Sequence, residues 1–159
     1  MVPVVVRLDP ANPGLSLLLP FLAERVRLFA EEYEPRVNPQ SYSSLVMGRI
    51  WARDPTILAL GLVDPEKGTL HGHVLAEMGV SRDLATGAEV KSAIVTQKRA
   101  DGNVGDALYQ AVEEAGVWAV TNGASVIALN TRKDSREWEK RLGYTHGHHV
   151  LFKKLGMDE

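Results

Sequence analysis

The segment ADGNVGDALYQAVEEAGVWA, Ala100 to Ala119, places Gly102 and Gly105 directly ahead of a run whose apolar residues recur at helical spacing. Val104, Ala107, Leu108, Ala111, Ala115 and Trp118 fall on one stripe at helical spacing, which predicts an amphipathic helix of about 17 residues. The residues before it, AEVKSAIV (88–95), read as a strand. A strand that enters a glycine-containing loop and then a helix aims several main-chain N–H groups, and the positive end of the helix dipole, at one point. Such a point suits a phosphate. Glycines also open helices for purely steric reasons, and the stretch has neither the Lys-Ser/Thr end of a P-loop nor the three-glycine spacing of a dinucleotide fold.

Working outward, PVVVRL (3–8) is short and β-branched and reads as a strand ending at Asp9-Pro10. Leu18, Leu22, Val26, Phe29 and Tyr33 mark an amphipathic helix over 17–33, with Pro20 tolerable only in its first turn. A second, shorter helix ends before Pro55. TILALGLVD (56–64) is apolar on both alternating sets, as a strand covered on both faces would be. Its antiparallel partner, LHGHVLAEMGV (70–80), carries His71, His73, Leu75 and Glu77 on one face and Val74, Ala76 and Met78 on the other. Beyond the glycine loop and its helix, ASVIALNT is a strand, DSREWEKRL a helix stopped by Gly143, and HHVLFKKL a last strand. The order predicts an α/β (α+β) fold with one mixed sheet and helices packed on it.

The 159 residues suffice for a single domain spanning 1–159, and a net charge of −2 argues against a dominant interaction with nucleic acid or an anionic membrane. No cysteine is present, which removes disulfides, thiolate metal sites and a cysteine nucleophile. The start of the chain does not read as a signal peptide, and no apolar run reaches the length of a membrane span, so the expectation is a soluble, cytoplasmic protein with no membrane partner.

Three stretches, ILALGLVDPEKGTLHGHVLAEM, AEVKSAIVTQKRADGNVGDALYQAVEEA and SVIALNTRKDSREWEKRLGY, resemble in order and spacing the GCN5-related N-acetyltransferase (GNAT) family. The resemblance covers 56–155, and EKRLGY is similar to the EKLGF that closes the family's last helix. It implies a GNAT-like acyl-CoA N-acyltransferase fold, with a mostly antiparallel central sheet and helices on both faces. Residues 1–55 would form the variable, acceptor side, and 56–155 the acetyl-CoA-binding core. The implied activity is transfer of an acetyl group from acetyl-CoA to an amine of a small molecule or a protein. A homodimer fits the family too.

The resemblance also implies site residues. The family's pyrophosphate loop falls on Arg99, Ala100, Asp101, Gly102, Asn103, Val104 and Gly105. Ala100 stands at the usual Arg/Gln position, and Asn103, a residue tolerant of positive φ, replaces a glycine. Main-chain groups of Ala93, Ile94 and Val95 would hold the pantetheine in a splay between the strands at 89–95 and 125–131, with Asn130 on the second strand. For the base, Glu89 resembles the glutamate of an AEI motif in one branch of the family, and its alternative role is pairing with Lys91. Glu77, beside His71 and His73, is the next candidate, and His-x-His with a carboxylate is also a metal-ligand pattern, although the family needs no metal. The tyrosine that protonates the leaving thiolate is missing, since Glu139 stands in its place after Trp138. Tyr144 and Tyr109 are the stand-ins, each with packing as its alternative.

Two other readings stay open. The degraded loop and missing tyrosine fit a non-catalytic acyl-CoA-binding or structural domain. A transferase acting on a nucleotide or nucleic acid would need a basic groove, for which Arg25, Arg27, Arg36, Arg49 and Arg53 are the available cluster, unless they only solvate helix faces.

Overall fold

The computed structural model describes residues 2–82, 85–129 and 136–144. Strand β1 (Val4–Arg7) is followed by a one-turn helix α1 (Pro13–Ser16), then α2 (Leu19–Tyr33) and α3 (Pro39–Trp51). Next come β2 (Ile57–Val63), β3 (Leu70–Arg82), β4 (Glu89–Ala100), α4 (Ala107–Thr121), β5 (Val126–Leu129) and α5 (Arg136–Leu142). Five strands form one sheet in the order β1-β2-β3-β4-β5. The first four pair antiparallel, and β5 lies parallel to β4.

Local chemistry accounts for the helix starts. Asn38 accepts from the Ser41 N–H at 3.0 Å and Pro39 follows it, an N-cap with proline in the first turn. Pro20 also sits in a first turn, that of α2. The short α1, which the sequence pattern did not call for, begins at Asn12, whose side chain accepts from the Gly14 N–H at 3.1 Å.

Two cores lie on opposite faces of the sheet. Leu19, Leu22 and Val26 of α2 and Met47 and Ile50 of α3 pack on Ile57, Ala59, Val63 and Leu75. On the other face, Ala107, Ala111, Val112 and Ala115 of α4 pack on Leu58, Leu60, Leu62, Val74, Ala76 and Val95. All of β2 is therefore buried, which is what its unbroken apolar sequence requires. Val104 precedes α4 rather than lying on it, yet it is buried in the same core and ties the loop to the sheet.

Strand β4 runs five residues further than AEVKSAIV, to Ala100. The added segment TQKRA is polar and reads as loop, but it pairs with β3, with Gln97 opposite Leu75 and Ala100 opposite Gly72. Thr96 is the extra residue of a bulge, since Ala76 pairs with Val95 and Leu75 with Gln97. The segment remains a strand because its polar side chains find partners: the Oε1 of the buried Gln97 lies 2.9 Å from the His73 Nε2, and the half-buried Arg99 donates to Glu32 at 2.9 Å. The last strand expected at 148–155 lies outside the described residues.

The β3–β4 contact leaves no room at Gly72, where a Cβ would stand 2.6 Å from Leu62 Cδ1 and 2.7 Å from the Arg99 carbonyl oxygen. At Gly79, on the same strand, a Cβ would meet nothing within 4 Å. Gly72→Ala is expected to cost about 1–3 kcal/mol in urea denaturation, and Gly79→Ala less than about 0.5 kcal/mol.

Candidate functional site

Residues Ser92 to Val95 of β4 pair with Val126 to Leu129 of β5. The two strands are thus joined where the sequence reading had them splayed. Ala93, Ile94 and Val95 stand in register with Ile127, Ala128 and Leu129, so their edge is taken by β5, the gap expected there is absent, and any fork between the strands lies past Val95. Among the described residues, the edge of β4 without a strand partner begins at Thr96, the bulge residue. Asn130 lies outside the described residues.

The unpaired edge leads directly into the loop 101–106. Gly102 and Gly105 have φ of +68° and +60°, the left-handed region that glycine enters without strain, and a Cβ on either would meet nothing within 4 Å. Asn103 does not take a positive φ, for among the described residues Arg53 is the only non-glycine that does. Its role is different: Asn103 Oδ1 accepts from the Gly105 N–H at 3.0 Å, which fixes the turn. The N-terminus of α4 has no side-chain cap; Asp106 stands there but is held by Arg141 at 2.5 Å. Open space over two glycines beside an uncapped 15-residue helix fits a phosphate-bearing ligand.

Arg99, which the family resemblance turns toward phosphate, pairs with Glu32 of α2. Asp101 pairs with Arg25 of the same helix, and this guanidinium holds its carboxyl below the usual range.

The nominated acid–base residues are dispersed. Glu89 is exposed at the far end of β4, opposite Arg82, and seven residues, about 23 Å along an extended strand, before Thr96. Glu77 stands opposite Ile94, near the end of the described β4–β5 pairing, and accepts a hydrogen bond from Arg49, which also donates to Asp54 at 2.9 Å. Tyr144 is half-buried against the α4-side core, and burial raises its hydroxyl above the ordinary pKa. Tyr109 is fixed by packing, its ring centroid 4.6 Å from that of Trp138 and 4.4 Å from the Arg141 guanidinium. Glu139 is half-buried on α5, following the buried Trp138.

His71 and His73 do not form a metal site with Glu77. The His71 Nε2 lies 2.8 Å from Thr69 Oγ1, and His73 is fully buried on Gln97. Among the described residues no three His, Asp or Glu stand together as metal ligands. The basic helix faces are likewise committed: Arg25, Arg27 and Arg49 are all held by carboxylates.

A buried polar chain escaped the sequence reading. Gln97 Nε2 donates to Tyr42 Oη at 3.1 Å, and its Oε1 meets His73, linking α3, β4 and β3 just past the bulge. The alternation of β3, which puts His73 in line with the buried Leu75, is the signal that could have shown it.

This geometry, with helices α2 and α3 on one face of a mixed five-stranded sheet, α4 on the other and β5 parallel to β4, is the fold of the GNAT acetyltransferases. Three solved structures show the likeness. AAC(6')-Iy, solved in complex with the bisubstrate analogue CoA-S-monomethyl-acetylneamine, superposes with a TM-score of 0.66 at 13% identity over 94% of this chain and 95% of that one. A probable acetyltransferase gives 0.64 at 14% identity over 94% and 93%. Glucosamine-6-phosphate N-acetyltransferase from Arabidopsis thaliana gives 0.63 at 9% identity over 95% and 97%. No protein-family model and no curated protein matches the sequence.

His73 makes the stability of this region depend on pH. Burial first, then repulsion from Arg25 and Arg99, lowers its pKa from 6.5 to about 4, against the opposing effects of Gln97 and Asp101. The unfolded chain therefore binds the proton that the folded chain refuses, and stability is full above pH ~6.5 and falls toward pH ~4, by on the order of 3 kcal/mol. Urea denaturation across this range should show the loss, and His73→Gln should flatten it.

Proposed function

We propose that this chain is an acetyl-CoA-dependent N-acetyltransferase acting on an amine. The features that carry the reading are the β4 edge past Val95, without a strand partner among the described residues, the left-handed glycines 102 and 105, and the uncapped start of α4. Acyl transfer from CoA needs those three in that order. It needs a strand edge for the pantetheine amides, an anion-binding turn for the pyrophosphate, and a gap where the thioester meets the amine. In this assignment the main chain of Thr96 to Ala100 serves the pantetheine, and the N–H groups of Gly102, Asn103 and Val104 serve the pyrophosphate, those of Asp101 and Gly105 being held by the His71 carbonyl and Asn103 Oδ1.

The acceptor enters from the α2–α3 face, so that residues 1–55 form its surface and 56–155 the cofactor core, within one domain. Acetyl-CoA supplies an electrophilic thioester carbonyl and a thiolate leaving group. An alkylammonium with a pKa of about 10 must lose a proton before its nitrogen can form the new N–C bond. Glu77 takes that proton, because it lies near the end of the described β4–β5 pairing while Glu89 lies far along the strand. As the C–S bond breaks, Tyr144 supplies the proton to the departing sulfur, since burial keeps its hydroxyl protonated. The loss of the usual tyrosine at Glu139 is tolerable, for a thiol of pKa ~8.5 leaves far more readily than an alkoxide.

Calorimetry with acetyl-CoA tests the cofactor half: saturable binding below millimolar ligand is expected, and Gly105→Trp should remove it by filling the space over the loop. No detectable affinity for the wild-type protein would favour a structural domain. For the chemical half, turnover is measured on neamine, glucosamine 6-phosphate and an alanine-terminated peptide. Glu77→Gln should lower the rate at neutral pH at least about tenfold, with partial recovery toward pH ~10 as free amine forms without a base. An unchanged rate would remove Glu77 from the mechanism.

A further inference from the structure

Helix α2 belongs to the acceptor side, yet Arg25 reaches from it to the first residue of the cofactor loop. Its Nη1 donates to Asp101 Oδ2. The Arg25 side chain is only 12% exposed, whereas that of Asp101 is 51% exposed. Two further donors of the same guanidinium, Nε and Nη2, are buried with no hydrogen-bond partner among the described residues. A buried cation with orphaned donors is expensive to keep, and an apolar residue would fill the position on α2 more favourably. Fold stability does not explain Arg25.

The charge on the loop does. Asp101 directly precedes Gly102, and an anionic carboxylate there opposes any pyrophosphate seated on residues 101–105. From the acceptor-side helix, we infer that Arg25 is a positioning residue for the cofactor loop: it cancels the Asp101 charge and turns that carboxylate away from the incoming phosphates. This rests on the assignment of the loop to acetyl-CoA. The neighbouring Arg99 cannot substitute, because Glu32 already holds it. Asp106, at the other end of the loop, is treated in the same way by Arg141 of α5. Both acids of the loop are therefore neutralised by arginines from other elements.

A double-mutant cycle read by acetyl-CoA calorimetry tests this, with thermal unfolding recorded for each variant. Arg25→Met, which keeps the buried stem, should weaken binding about tenfold, since it leaves Asp101 uncompensated beside the phosphates. Asp101→Asn should bind at least as tightly as the wild type. The double variant should return to within about threefold of it, a rescue that a merely structural role for Arg25 would not give. Wild-type affinity in Arg25→Met, or a double variant as weak as that single one, overturns the inference and leaves the cofactor assignment standing. If Arg25→Met does not fold, Asp101→Asn decides alone, and a tenfold loss in it overturns the inference. Failure of the wild-type protein to bind acetyl-CoA overturns the assignment and the inference together.

Discussion

A single extra residue, Thr96, sets the arrangement of everything around the site. Before the bulge, the odd-numbered residues Ala93 and Val95 face α4; after it, Gln97 and Arg99 face α2 and α3. Without the bulge, with Thr96 paired as an ordinary strand residue, the alternation would drive an amide and a guanidinium into the alanine-lined core under α4. With it, Gln97 meets His73 and Tyr42, Arg99 meets Glu32, and Lys98 lies 5.4 Å from the Trp138 ring on the other side. The described pairing with β5 also stops at this point. Polar chain and loop anchor share one local cause.

That cause explains what could be read from the sequence and what could not. Strand β2 and helix α4 were legible because a period of two or of 3.6 in apolar residues survives any change of context. The gap was expected at Ala93 to Val95, where β5 pairs, because a bulge leaves no mark in periodicity: TQKRA looks like loop until its partners are known. Gly102 and Gly105, singled out for a ligand loop, both take the left-handed conformation that glycine favours, whereas Asn103 acts through its side chain instead of a positive φ. Glu89 was nominated by motif alone, and a motif says nothing of how far along a strand it sits. Ion pairs such as Arg25–Asp101 join residues 76 apart and have no signature in a single chain.

The polar chain across the sheet carries a cost that shapes the rest of the molecule. His73 and Gln97 are among its largest fully buried side chains. A neutral imidazole bonded to an amide is tolerated there, and a charged one is not. The chain fixes the distance between α3 and β4 by hydrogen bonds, which are directional, as the Ser43 hydroxyl does between α3 and α2 by donating to the Ala23 carbonyl at 2.7 Å, whereas the apolar contacts around them are not. A cleft wall held in this way keeps its geometry when the apolar packing around it relaxes.

Strand β1 ends the sheet, and an end strand presents unpaired main-chain groups to any other extended chain. This one is a poor template. It has only four residues, the buried Pro3 ahead of it offers no N–H, and Arg7 closes it with a charge that would have to be desolvated on pairing. Sheet-to-sheet joining of two copies through β1 is disfavoured on all three counts, so a concentrated solution of this protein is protected from growing ribbons at that border.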